Sequence, residues 1–374
     1  MGGPIRVALD ATPLFGSRTG VGAFTLGLLQ ALAVRDDVKA SGYALSWRAF
    51  RSLAAALPEG VRPILRPMPP QPLRACWLRW DGPAAEWWTG STQVVHGTNF
   101  LLPPTRRAAA VTTIHDLTAV RFPELCSGDS LLYPQLLRRS LARGAWVHTV
   151  SAFVAAEVVQ LLGADPERVV VVPEPVPPVA EASPDDGRRL AGADRYVLSL
   201  STIEPRKDHP SLVRAFDRVG DAHPDVRLVI AGMDGWGTAP LDQALAASRH
   251  RNRIVRLGYV GDGDRAALLR GASVLAFPSR YEGFGLPPLE AMSVDVPVVA
   301  TTAGSLPEIL GGDAALLVPP GDDAALAEGV GAILEDSALR ARLIAAGARR
   351  AAGYTPERCA NGMVALYARA ASEN

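Results

Sequence analysis

Two carboxylates, Glu282 and Glu290, stand with seven residues between them in the stretch Arg280-Tyr281-Glu282-Gly283-Phe284-Gly285-Leu286-Pro287-Pro288-Leu289-Glu290-Ala291-Met292. The apolar run from Ala272 to Phe277 precedes them and reads as a buried strand. The paired prolines are of the kind that open a helix. Glu282 is therefore expected in a glycine turn and Glu290 in the first helical turn. The amides of Gly283, Phe284, Gly285 and Leu286 then lie near a helix N-terminus, where anions are favoured. Backbone donors for an anion beside carboxylate acceptors for hydroxyls suit a sugar joined to a diphosphate. The same residues also read as a plain strand-turn-helix in which Glu290 only complements the helix dipole.

Charge recurs at the ends of other apolar runs. Ser201-Thr202-Ile203-Glu204-Pro205-Arg206-Lys207-Asp208 follows the strand-like Arg195 to Leu200. Adjacent arginine and lysine there could neutralise a diphosphate, Arg206 as a fork and Lys207 as a point charge, or could simply be a solvated turn. Asp262 and Asp264 follow Gly258-Tyr259-Val260. They suit a divalent metal but open a helix containing Leu268 and Leu269, so they are read as caps. His96, His115 and His148 lie on or after neighbouring strands, yet their spacing matches no zinc motif and no cysteine joins them, so no metal is expected.

The elements that must position these residues follow one plan. Ile5 to Leu9 reads as a strand. A glycine-rich loop through Gly20, Val21 and Gly22 follows, and then a helix with Phe24, Leu28, Leu29 and Leu32 at helical spacing. The loop lacks the third glycine of a dinucleotide fingerprint, but it belongs at the carboxyl end of a parallel sheet, where ligands bind. Strands are expected at Gln93–His96, Ala110–Asp116, Trp146–Ser151 and Val169–Val172. Helical patterns separate the last three, and Ser151 is placed as an N-cap. Residues 43–90 have no clean period. Arg62, Arg66, Arg74 and Arg79 alternate there with Trp77, Trp80, Trp87 and Trp88. They read first as a half-buried loop and helix, with a lipid-headgroup or acceptor surface as the alternative.

The proline-dense Pro173-Glu174-Pro175-Val176-Pro177-Pro178 and the polar stretch beyond it mark a break. A second strand-helix series starts at Arg195 and continues through Val226–Ala231, Ile254–Leu257, Val274–Phe277 and Val296–Ala300. Alternation of this kind makes parallel sheets covered on both faces. With 374 residues, two domains are expected. The 38 basic and 38 acidic residues balance, which gives no argument for nucleic acid. Cys76, Cys126 and Cys359 are too far apart for a metal motif and odd in number, which fits a reducing compartment. No apolar run reaches membrane length, and a strand-like N-terminus replaces a leader. A cytoplasmic protein is the expectation.

Taken together, Arg280 to Met292, Glu204-Pro205-Arg206-Lys207, Gly258-Tyr259-Val260, Thr302 to Glu308 and Val318-Pro319-Pro320-Gly321-Asp322 resemble the signature of retaining glycosyltransferases of the GT-B fold, family 4. Gly20-Val21-Gly22, His115-Asp116 and Val150-Ser151 are similar to that family's first half. The resemblance implies an α/β GT-B fold of two Rossmann-like domains facing across a cleft. Residues 1–178 would bind the acceptor, 179–194 would be a linker and 195–354 would bind the nucleotide sugar. A final helix, 355–374, would return to the first domain. It implies that Glu290 binds ribose and that Arg206 and Lys207 hold the diphosphate, aided by amides around Gly285 and Leu286. Glu282, with the Gly283 and Phe284 backbone, would position the sugar. Tyr259 and Val260 would flank the base. His115, Asp116 and Gly20 to Gly22 would meet the donor from the other domain.

The implied reaction is hexosyl transfer from a GDP-mannose-like or UDP-linked donor to a hydroxyl of a glycan, a lipid-linked carrier or a secondary-metabolite aglycone. It proceeds with retention and without metal or cofactor. An epimerase, a phosphorylase and a non-catalytic nucleotide-sugar-binding subunit are the rival readings. A peripheral membrane or lipid-linked acceptor contact through residues 62–88, at the inner membrane face, accompanies the reading. Two departures stand out. An arginine common at the position of Thr202 is absent, Arg206 taking its place, and Glu174-Pro175 replaces the usual Asn-Gly. The second departure is expected to alter only the linker.

Overall fold

A computed structural model describes residues 3–16, 20–126 and 128–373. The chain divides into two compact units, one formed by Met1–Pro177 with Tyr354–Asn374 and the other by Pro178–Gly353.

The first unit holds seven parallel strands: β1 Ile5–Asp10, β2 Val38–Tyr43, β3 Arg62–Pro63, β4 Val94–Gly97, β5 Ala109–Ile114, β6 Trp146–Thr149 and β7 Val169–Val171. Their order is β3-β2-β1-β4-β5-β6-β7. The order reverses between β1 and β4, the switch point at which doubly wound sheets take ligands. Strands β2 and β3 were not expected from the sequence. Val-Lys-Ala-Ser-Gly-Tyr has no apolar run, and β2 is a strand because it pairs with β1 from Ile5–Val38 to Asp10–Tyr43.

The helix Gly20–Ala33 buries Phe24, Leu28, Leu29 and Leu32, as its spacing predicted. The closing helix Pro356–Ser372 buries Cys359, Ala360, Met363, Leu366 and Tyr367 in the same core as Val7, Leu9 and Leu28. It therefore belongs to the first unit. Ser151 accepts the Val154 amide as the predicted N-cap. In residues 43–90, Trp77 is fully buried and Trp88 packs at the core edge, while Trp80 and Trp87 remain 63% exposed. Leu131 and Leu132 are exposed and precede the helix Tyr133–Ala142.

The histidines near the sheet centre form a chain whose donors and acceptors are fixed by its end. Val172 O can only accept, so His148 Nε2 carries the hydrogen it donates at 2.8 Å. His148 Nδ1 then accepts from Thr113 Oγ1 at 2.9 Å, and Thr113 accepts from His96 Nε2 at 2.7 Å. Finally, His96 Nδ1 accepts from the Tyr367 hydroxyl at 2.7 Å. Burial pushes His148 down to about 4 and His96 well below the usual imidazole range, so both rings are neutral. Every ring nitrogen of the two is occupied by protein. Among the described residues, no group of three or more histidine, cysteine or acidic side chains is arranged to hold a metal ion.

The second unit holds β8 Arg195–Leu200, β9 Val226–Ala231, β10 Ile254–Gly258, β11 Val274–Phe277, β12 Val298–Thr301 and β13 Leu316–Val318. All run parallel in the order β10-β9-β8-β11-β12-β13, with the switch point between β8 and β11. The segment 179–194, expected as a linker, contains the helix Pro184–Ala191. That helix lies so close to the helix Asp262–Gly271 that a Cβ on Gly187 would meet Ala267 O at 2.1 Å. Its charged face, Asp185, Asp186, Arg188 and Arg189, hid its packing from a hydrophobicity reading. No described helix is long and apolar enough to cross a membrane.

Candidate functional site

In the second unit the loops leaving β8 and β11 lie at the switch point. The first forms a short turn, Pro205–Lys207, and ends at Asp208 with φ 49° before the helix His209–Ala222. A non-glycine residue in this left-handed region is held there by its contacts. Arg280 Nε and Ser211 Oγ donate to Asp208 Oδ2 at 2.7 and 2.8 Å. The second loop is joined to the first through the Arg280 amide, which donates to Arg206 O at 2.7 Å. Its other side is clamped by residues that follow β12. The Ser305 amide donates to Glu282 O at 3.0 Å and Ser305 Oγ to Phe284 O at 3.1 Å. Gly304, at φ 60°, has Glu282 O 2.2 Å from where a Cβ would sit, so the close approach requires glycine.

This scaffold brings Arg206, Lys207, Glu204 and Glu282 together. Lys207 Nζ donates to Glu282 Oε1 at 2.5 Å, and Arg206 Nη1 to Glu282 Oε2 at 3.2 Å. Arg206 Nε lies 2.7 Å from Glu204 Oε1. Lys207 also lies over the Phe277 ring at 5.2 Å. Burial would raise the Glu282 carboxyl, but the charges of Lys207 and Arg206 outweigh it and keep the group below the usual carboxylate range. With Asp208 and Arg280, the cluster contains three cations and three anions. The expected phosphate-binding pair is therefore already neutralised and oriented by the protein's own carboxylates.

Gly285, at φ 109°, precedes the helix Leu286–Ser293, with the prolines in its first turn. Glu290 lies just past that turn, one residue later than expected, and is buried. Its carboxylate is ion-paired with Arg265. Arg265 was missed in the sequence, where Asp262-Gly263-Asp264-Arg265 draws attention to its acids. Gly261, not either aspartate, caps the helix Asp262–Gly271. Asp262 and Asp264 occupy its first turn rather than the N-cap position, which corrects the cap reading. Tyr259 is exposed and Val260 half-buried after β10.

In the first unit, His115 follows β5. Its Nδ1 lies 2.7 Å from Glu174 Oε1 and its Nε2 2.9 Å from Thr98 O. Both ring nitrogens face protein acceptors, so each ring N–H is taken up by protein as the ring is placed. Glu174 is buried beneath the ring and does more than shape a linker, which corrects the expectation for Glu174-Pro175. The sequence signal was available: Glu174 is a lone acid at the carboxyl end of β7, the same sheet edge as His115. Asp116 Oδ1 accepts the Thr118 amide at 2.9 Å. Gly20, Val21 and Gly22 are not a loop but the first turn of the helix Gly20–Ala33, and Ser17 to Thr19 lie outside the described residues. A Cβ on Gly22 would meet Pro13 O at 2.8 Å, so that glycine serves the close approach of the Thr12–Leu14 turn.

Asp10, at the end of β1, is buried and accepts the Thr12 amide at 2.8 Å. Burial raises its carboxyl to about 6 despite the bonds from Thr12. It was not singled out in the sequence, although it ends the strand at the switch point.

Residues 18–179 match the family described as Glycosyltransferase Family 4, and residues 185–350 match Glycosyl transferases group 1. O-antigen chain mannosyltransferase B of Escherichia coli is 29% identical over 395 residues, 97% of this chain and 99% of that one. D-inositol 3-phosphate glycosyltransferase of Kineococcus radiotolerans is 31% identical over 293 residues, 70% of this chain and 66% of that one. Among solved structures, Anabaena HepE in complex with UDP and glucose superposes with a TM-score of 0.75 at 19% identity, covering 98% and 100% of the two chains. The chain is a glycosyltransferase of the GT-B fold.

Proposed function

We propose that this chain transfers a hexose from a nucleoside-diphosphate sugar to a hydroxyl acceptor, with retention at the anomeric carbon and without a metal ion or cofactor. The observation that supports it most is the placement of Arg206 and Lys207 at the β8/β11 switch point, both gripped by Glu282. Carboxylate oxygens orient these cations before any donor arrives, and phosphate oxygens can take the same donors in exchange. Charge growing on a departing diphosphate would meet donors already in place, the kind of preorganised electrostatic stabilisation worth on the order of 10²–10³ in rate per group. Glu290, fixed by Arg265, is assigned to the ribose hydroxyls, Glu282 with the Gly283 and Phe284 backbone to the sugar, and Tyr259 and Val260 to the base. A GDP-linked mannose is the first donor to test, given the relation to a mannosyltransferase, and UDP-glucose the second, given the neighbour that holds UDP and glucose.

Thermal shift against GDP, UDP, ADP and their hexose conjugates tests this directly. Stabilisation by one nucleotide class, lost in Arg206→Ala and Glu290→Ala, is expected. No stabilisation by any of them would refute the reading. Turnover of the hit should require an acceptor and survive chelator. Donor conversion without acceptor would instead indicate an epimerase-type activity, and loss in chelator would bring back Asp262 and Asp264 as metal ligands.

A further inference from the structure

We infer that Glu174 is a positioning residue for the transfer: it keeps His115 doubly protonated, with both ring N–H groups turned into the protein. The inference rests on the proposed glycosyl transfer only for the consequence to turnover. Its geometry is confined to the first unit. Thr98 O is a carbonyl and can only accept, so His115 Nε2 carries a hydrogen. A contact of 2.7 Å between Nδ1 and Glu174 Oε1 then needs a proton between them. Imidazole is more basic than a carboxylate by about 2 pKa units, so the proton rests on the ring.

Among the described residues, the ring's hydrogen bonds run to Glu174 and Thr98 alone. His148 and His96 are neutral within their own hydrogen-bonded chain. Phe24 presents its ring edge-on to His115 at 5.2 Å, and Phe100 stands 6.5 Å away. Asp116, next in sequence, adds a further negative charge, and the Cys359 thiol, near Glu174, is pushed up to about 12 and so stays neutral. Burial by itself would lower the His115 imidazole, but the bond and charge of Glu174 outweigh it and raise it.

A ring pinned in this way takes no part in proton transfer. It stands as a fixed, polarised imidazolium at the carboxyl end of β5, held from the ends of β4 and β7. Glutamine at 174 preserves the shape. Its amide can donate to Nδ1 while Nε2 still donates to Thr98 O, which leaves the ring in place but neutral.

The test uses the full chain labelled with ¹⁵N-histidine, the His115 ring resonances being assigned by their loss in His115→Asn. In the wild type both ring nitrogens should stay protonated from pH 6 to 8, and in Glu174→Gln the ring should lose a proton at or below about pH 6.5. Turnover of GDP-mannose or UDP-glucose by Glu174→Gln at pH 8 should show kcat lower by about tenfold, the scale of removing one fixed positive charge in a partly desolvated site. KM should stay within about twofold, and kcat should recover as pH falls to 6. Glu174→Asp, which keeps the charge, should restore part of the loss at pH 8. A wild-type ring that titrates near pH 6.5, or an unchanged titration in Glu174→Gln, would overturn the inference. So would a kcat loss that is the same at every pH. If neither donor is turned over by the wild type, the functional reading fails and takes the positioning role with it, while the ring titration still decides who protonates His115.

Discussion

Replacing Glu282 by glutamine should destabilise the second unit more than replacing Lys207 by methionine, although the two residues are direct partners. Glu282 serves two cations, Lys207 at 2.5 Å through Oε1 and Arg206 at 3.2 Å through Oε2. All three sit in a site where Glu282 and Lys207 are each less than a tenth exposed. Stranding buried charge by removing a partner costs about 3–5 kcal/mol, and Glu282→Gln strands Lys207 in this way, while Arg206 keeps Glu204. Lys207→Met leaves Glu282 its contact with Arg206, so only one charge-assisted bond is lost, about 1–3 kcal/mol. Amide hydrogen exchange in β8 and β11, measured in increasing urea, reads the opening of this unit alone.

The same asymmetry should appear with opposite sign in binding. Arg206→Ala should weaken GDP or UDP about 10- to 100-fold, the loss of one charged hydrogen-bond donor. Glu282→Gln leaves two cations short of a carboxylate and should bind the bare nucleoside diphosphate at least as tightly as wild type, while losing sugar transfer. If Lys207→Met proves the more destabilising, or if Glu282→Gln weakens the nucleotide as Arg206→Ala does, the cluster is not a preorganised phosphate site held by its own carboxylates.

Three further outcomes follow from the first unit. Asp10→Asn keeps an acceptor for Thr12 but removes a buried charge. The Asp10 carboxyl is raised to about 6 by folding, so the stability it contributes is present at low pH and lost as pH rises through 6. The variant should match wild type near pH 4 and exceed it at pH 8 by up to about 3 kcal/mol, a gain that urea titration at the two pH values would detect. Tyr367→Phe removes the donor to His96 Nδ1 and leaves a buried acceptor unpaired, which should cost about 1–3 kcal/mol in urea unfolding. Trp80→Ser with Trp87→Ser removes two exposed indoles from the segment that also exposes Arg62, Arg66 and Arg79. Sedimentation with phosphatidylglycerol vesicles should show the wild type bound and the double variant released, and equal binding would end the membrane-surface reading.

The strands that read clearly in the sequence were those with apolar runs, such as Val226–Ala231 and Val274–Phe277, because both faces of a parallel sheet are buried and the run itself is the signal. The placement of Arg206, Lys207 and Glu282 at one edge was legible for a related reason, since charge placed directly after a buried strand must emerge at the sheet's carboxyl edge. What the sequence by itself determined was thus the alternation of elements, the two-unit plan and which polar residues reach that edge. Only the tertiary structure decided how those residues pair. Glu282 and Lys207 are 75 positions apart, Arg265 and Glu290 are 25, and His115 and Glu174 are 59. Nothing local encodes such pairings, because they arise when non-neighbouring strands are laid side by side and their loops share one edge. The same holds for β2, whose polar sequence becomes a strand only against β1, and for the helix Pro184–Ala191, whose contact glycine, Gly187, has no hydrophobic signature. Chain neighbours set the elements, and sheet order set the chemistry.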